Sequence, residues 1–130
     1  DYPPTYSFEN LRMWQAAHAF VLMVYRISRH FPEDEKFGLT PQFRRDAVSI
    51  EANIAEGYKK LGKADKLRFF NTAQGSLEEC RDYHIISRDL GYLVSDEFQL
   101  LHESLQQASV LLNAYCKAVV DNRGIKDEYM

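Results

Sequence analysis

Four histidines, His18, His30, His84 and His102, and two cysteines, Cys80 and Cys116, are the side chains here that could hold a transition metal. A di-iron carboxylate bundle needs Glu-x-x-His on each of two helices and two further inward carboxylates. The residues three before these histidines are Gln15, Ile27, Arg81 and Gln99, so that motif is absent. Cys80 and His84, four apart, could donate two zinc ligands, but no second Cys/His pair completes a tetrahedral set. Gly57 and Gly62 lack the lysine pattern of a phosphate-cradling loop, and no Ser-His-Asp arrangement can be argued. The sequence thus offers no catalytic residue, metal site, cofactor or small-molecule substrate, and it reads as a non-enzyme.

Two other groups of polar residues invite attention. Ser49, Asn53, Glu56 and Lys60 fall on one helical face, and Ser76 and Glu79 on another. With Arg44 and Arg45 they are expected to form a structural hydrogen-bond network. Buried polar groups can fix packing register at a cost in stability, and Asn53 and Glu79 are assigned that task. The second group is basic. From Phe43 to Arg68 there are seven bases and four acids, a balance of +3, while the rest of the chain carries −6. Tyr58, Lys59, Lys60, Lys63, Lys66 and Arg68 could face RNA or another polyanion; the plainer reading is a solvated helical hairpin. Of seventeen aromatics, only Tyr58 beside Lys59 and Lys60 hints at base stacking; most others lie on apolar stripes.

Helices must position all of these. Leu11, Trp14, His18, Val21, Tyr25 and Ser28 repeat at three-four spacing, with Met13, Ala17, Phe20, Val24, Ile27 and Phe31 beside them, predicting a first helix over about 10–30 that Pro32 ends. The segment 33–36 is expected to be a solvated loop. Thr40 as cap and Pro41 in the first turn open a second helix, and Gly62 is expected to close it. The third spans about 64–90, where Gly75 should permit close packing or a bend and Gly91 a stop. The fourth starts at the caps Ser95 and Asp96 and fades by Asp121. The expectation is all-α: an extended arm over 1–9, an antiparallel up-down-up-down four-helix bundle over 10–121, and a flexible tail over 122–130.

Bulk properties agree with this reading. With 130 residues the chain suits one domain. Hydrophobic residues at 45% and charged residues at 27% lie in the ordinary globular range. The net charge of −3 argues against a whole-surface nucleic-acid footprint. No apolar run reaches the ~20 residues of a membrane span, and no signal-peptide pattern opens the chain, so a cytoplasmic location with reduced thiols is the expectation. Whether Cys80 and Cys116 meet cannot be read from spacing.

Gly38-Leu39-Thr40, Gln42-Phe43-Arg44-Arg45 and the run Ser49-Ile50-Glu51-Ala52-Asn53-Ile54-Ala55-Glu56-Gly57 resemble the signature of a four-helix bundle family. Its members were first noticed as reading frames in intervening sequences of bacterial 23S ribosomal RNA genes and are also labelled S23-like. Leu11 to Ala17, Phe31-Pro32, Gly75 to Glu79 and Leu90 to Leu93 resemble further family segments in the right order, over about 8–120. The resemblance implies a cyclic homopentamer. A distant similarity extends to the pentameric, basic accessory variability protein of diversity-generating retroelements, but this chain is acidic. Glu51 stands where the family often has proline, and Cys80 and His84 where it is usually apolar.

The first and third helices each carry two apolar stripes, and a bundle core uses one. The surplus predicts a subunit interface, with Trp14, Phe69 and Tyr83 as its candidates. The chain is therefore expected to be a homo-oligomeric assembly protein, with RNA binding through the helix 2–3 hairpin as the alternative.

Overall fold

The computed structural model describes residues 7–121. Four helices follow one another: α1 (Arg12–Ser28), α2 (Leu39–Lys59), α3 (Lys63–Asp89) and α4 (Ser95–Val120), and no strand occurs among the described residues. Cross-helix bonds fix their directions. His18 meets Glu51 and Ser28 meets Arg44 between α1 and α2. Gln42 meets Tyr83 and Ser49 meets Ser76 between α2 and α3. Gln74 meets Asn113 and Arg81 meets Gln106 between α3 and α4. In every pair one number rises as the other falls, so neighbours are antiparallel. Helix α4 packs back on α1 and closes the bundle. The up-down-up-down reading therefore holds within one chain.

The predicted stripes become the core. Phe20, Phe43 and Phe70 are wholly buried with Met13, Ile50, Ile54, Leu101, Leu105 and Leu112. Phe20 leans on Phe43 with ring centroids 6.4 Å apart, and Phe70 meets Tyr115 edge-on at 5.4 Å. Burying each such side chain contributes about 1.5–3 kcal/mol, and packing of this kind, more than helix propensity, stabilises the helices. Cys80 and Cys116 are buried among these residues as free thiols.

The element ends differ from the sequence expectations. Residues Phe8–Asn10 form a 3-10 turn rather than an extended arm, because Ser7 Oγ accepts the Glu9 amide and the Phe8 ring packs edge-on against Trp14. The remainder of the predicted arm (1–6) and the predicted tail (122–130) lie outside the described residues. Helix α1 is shorter than expected at both ends. Segment 33–35 is also a 3-10 turn, and it folds Glu35 inward. The Glu35 carboxylate, not Thr40, caps α2: Oε1 accepts the Leu39 N–H at 3.0 Å, and Oε2 accepts the Tyr92 hydroxyl at 2.7 Å. Pro41 still falls within the first turn, where a missing N–H leaves nothing unpaired. At α4 the cap is likewise a carboxylate, since Glu97 accepts the Val94 N–H instead of Ser95 or Asp96 serving.

The glycines sort themselves by use. Gly91 has φ +78° and ends α3 with bonds from Tyr92 N–H to Ser87 O and from Gly91 N–H to Arg88 O, the double closure expected of a left-handed terminal residue. Gly62 does not close α2; it precedes α3 with φ −85°. Gly75 is exposed with no neighbour a side chain would meet, so it serves neither close packing nor contact. Gly57 is the tight one. A Cβ there would lie 2.6 Å from Phe70 Cε1 and 3.0 Å from Phe69 Cβ. Gly57→Ala should therefore destabilise the chain by about 1–3 kcal/mol despite its better helix propensity, read as a lower urea midpoint, while Gly75→Ala should be neutral or stabilising.

Candidate functional site

The polar residues that the sequence grouped separate into parts. Ser49 of α2 and Ser76 of α3 share a hydrogen bond of 2.8 Å across the seam, and Asn53 Nδ2 donates to Ser49 O at 2.8 Å and to Ser49 Oγ at 3.0 Å. These three form the network. Arg44 belongs elsewhere, donating to Ser28 Oγ at 2.8 Å and to Tyr25 O at 3.3 Å on α1. Glu56 pairs with Lys60 at 3.8 Å on its own helix. Arg45 and Glu79 are exposed. Glu79 is thus no register-setting group: three residues beyond Ser76, it has turned away from the seam. Nearer the start of α2, Tyr83 accepts from Gln42 at 3.1 Å and packs edge-on against Phe43 at 5.9 Å. The Gln42 bond favours the Tyr83 phenolate, but burial and the charges of Asp46 and Glu79 outweigh it and raise the phenol. Asp46 Oδ2 is buried there with no hydrogen-bond partner among the described residues.

The basic hairpin is largely occupied by the fold itself. Lys66 Nζ donates to Tyr58 O at 2.7 Å and to Gly57 O at 3.4 Å, closing the carbonyl end of α2. Its partial burial lowers the ammonium's pKa. Lys63 Nζ donates to Val120 O at the end of α4. Arg68 pairs with Asp65 at 3.7 Å, and both Arg68 and Lys60 lie over the Phe69 ring. Lys59 is exposed. The six residues share one end of the bundle, yet four of them hold carbonyls, a carboxylate or a ring of the chain itself.

Trp14, Phe69 and Tyr83 are each half-buried. Trp14 lies between Phe8 and the His18 ring, which stacks on it at 4.7 Å. Among the described residues no group of three or more His, Cys, Asp or Glu could hold a metal ion. No described helix is long and apolar enough to cross a membrane.

The family model for the 23S rRNA-intervening sequence protein matches residues 9–114, nearly the whole bundle. This chain belongs to that family. A solved structure of a protein of unknown function from the S23 ribosomal protein family of Bacteroides thetaiotaomicron is similar in fold, with a TM-score of 0.75 at 19% identity, covering 81% of this chain and 98% of that one. No curated protein matches.

Positions singled out in the sequence acquire structural roles. Glu51 points its carboxylate at His18 Nδ1, 3.0 Å away. The His18 side chain is 42% exposed. Sequence reading missed this pair because residues 33 apart become neighbours only once α1 and α2 are set in register. His84 is buried, stacked on Phe98 at 4.0 Å, and its Nε2–H donates to Phe98 O at 2.9 Å. Burial lowers its pKa to about 4, against the pull of that carbonyl. Cys80 is also buried, and burial with the nearby Asp46 and Glu79 carboxylates raises its thiol.

Two outcomes follow. Lys66→Met should cost about 1 kcal/mol by unpairing the α2 carbonyls, whereas Lys59→Met should leave the urea midpoint unchanged. Because His84 takes its proton more readily unfolded than folded, its contribution is full above about pH 6.5 and is lost as pH falls toward about 4. Stability measured across that window should drop by about 2–3 kcal/mol, and His84→Gln should flatten the slope.

Proposed function

We propose that this chain is a non-catalytic helical scaffold that acts by assembling with copies of itself, in the five-fold form that the family resemblance implies. One observation carries the reading. After the core is complete, large apolar side chains are still exposed on every helix: Leu22 on α1, Val48 on α2, Ile85 and Ile86 on α3, Leu100 and Val110 on α4. Scattered single exposures are ordinary, but Leu90 and Val94 flank the α3–α4 turn as well, and the half-buried Trp14, Phe69 and Tyr83 add to the surface awaiting cover. Copies related by rotation could hide such faces at little cost in specificity. The two free, buried thiols fit a reducing compartment, and we place the assembly in the cytoplasm.

The alternative, RNA binding by the α2–α3 hairpin, has less support. Lys63 and Lys66 already hold helix-end carbonyls, and Arg68 a carboxylate. Light scattering on the purified chain tests assembly directly. Five copies of 15.2 kDa should give about 76 kDa, and Ile86→Glu with Leu100→Glu should lower the mass. A single-chain mass at micromolar concentration would overturn the proposal.

A further inference from the structure

At the opposite end of the bundle from the lysine hairpin, the end of α1, the link and the start of α2 enclose a cleft of about 530 Å³. That volume lies within the range of small-molecule sites, ~300–1,000 Å³. Its charge is lopsided. Arg29, Arg44, Arg45 and Lys36 line it against one acid, Glu33. Glu33 already faces Lys36 at 3.7 Å. Among the described residues none of the three arginines is bonded to a carboxylate. The nearby Glu35 is not in the lining, and both its oxygens are taken by the Leu39 amide and the Tyr92 hydroxyl.

Arg44 is held ready. Its Nε and one terminal nitrogen donate to the neutral acceptors Ser28 Oγ and Tyr25 O, and its guanidinium lies 4.8 Å over the Tyr25 ring. These bonds position the fork without neutralising it, and further N–H groups remain for a ligand. Thr40, released from capping by Glu35, also lines the cleft. Tyr25, Phe31, Pro32 and Pro41 add apolar surface to the lining, beside Ser28.

Three unneutralised guanidiniums favour a doubly charged oxyanion over a carboxylate, since the fork matches phosphate oxygens in pairs. The apolar wall and the volume ask for more than the anion alone. We propose that this cleft binds a phosphate monoester carried on a ring-bearing group, of the nucleoside monophosphate class. The same chemistry is presented by a free nucleotide and by the 5′-phosphate end of an RNA strand. The site draws on side chains of one subunit only.

The test is calorimetric titration of the full chain at low salt with adenosine monophosphate, inorganic phosphate, and a short RNA bearing either a 5′-phosphate or a 5′-hydroxyl. The monophosphate or the 5′-phosphorylated RNA should bind, and which of them binds identifies the source. Arg29 and Arg45 are exposed, so Arg29→Ala and Arg45→Ala should fold as the parent does, checked by thermal melting, and each should weaken binding about ten- to a hundredfold. Lys59→Ala should leave binding unchanged. The proposal is overturned if neither phosphorylated probe binds, or if the two arginine variants bind as the parent does. It is equally overturned if RNA binds as tightly with a 5′-hydroxyl as with a 5′-phosphate where the phosphorylated RNA is the one that binds, or if inorganic phosphate binds as tightly as the monophosphate where the monophosphate is the one that binds.

Discussion

The approach of α2 to α3 at Gly57 sets the terms for the rest of the bundle. With no side chain on Gly57, Phe70 can lie against the α2 backbone. That same closeness brings the Lys66 ammonium within reach of the carbonyls at 57 and 58 and lets two serine hydroxyls meet two turns away. A wider spacing would leave Ser76 and the end of α2 to find water instead, and would open a void beside Phe70. The glycine costs helix propensity of about 1 kcal/mol, which the ring's burial offsets.

Charge in this chain is sorted by what each group can find nearby. At the α2–α3 end the cations are drawn onto backbone carbonyls, onto Asp65 and over Phe69. At the α1–α2 end the carboxylates are the ones diverted: Glu35 to an amide and a phenol, Glu33 to Lys36. Among the described residues the arginines there meet no carboxylate. A count along the sequence places the positive excess between Phe43 and Arg68, but the fold relocates the usable part of it to residues on either side of the first turn.

The helices themselves were legible because apolar residues at three-four spacing have no competing period, and proline and glycine mark the breaks. Phe43, Ala47, Ile50 and Ile54 are buried as that spacing required. The caps were not legible. Glu35 and Glu97 reach backbone amides through short local folds, while Thr40 and Ser95 are the better formers in isolation. A lysine that closes a helix and a lysine in solvent look alike in a sequence, so Lys66 and Lys59 could not be told apart. The same holds for Glu79 against Ser76: only the rotation of α3 about its axis decides which of them meets α2. Family membership was legible from the second helix, where the residues that carry the resemblance also make the contacts to α1 and α3.

Cys80 has no exposed surface, and its thiol is held in the protonated, unreactive form. Alkylating reagents attack the thiolate, so they must wait until α3 parts from its neighbours. The rate at which this sulfur is modified thus becomes a built-in clock for how often the closed bundle breathes open.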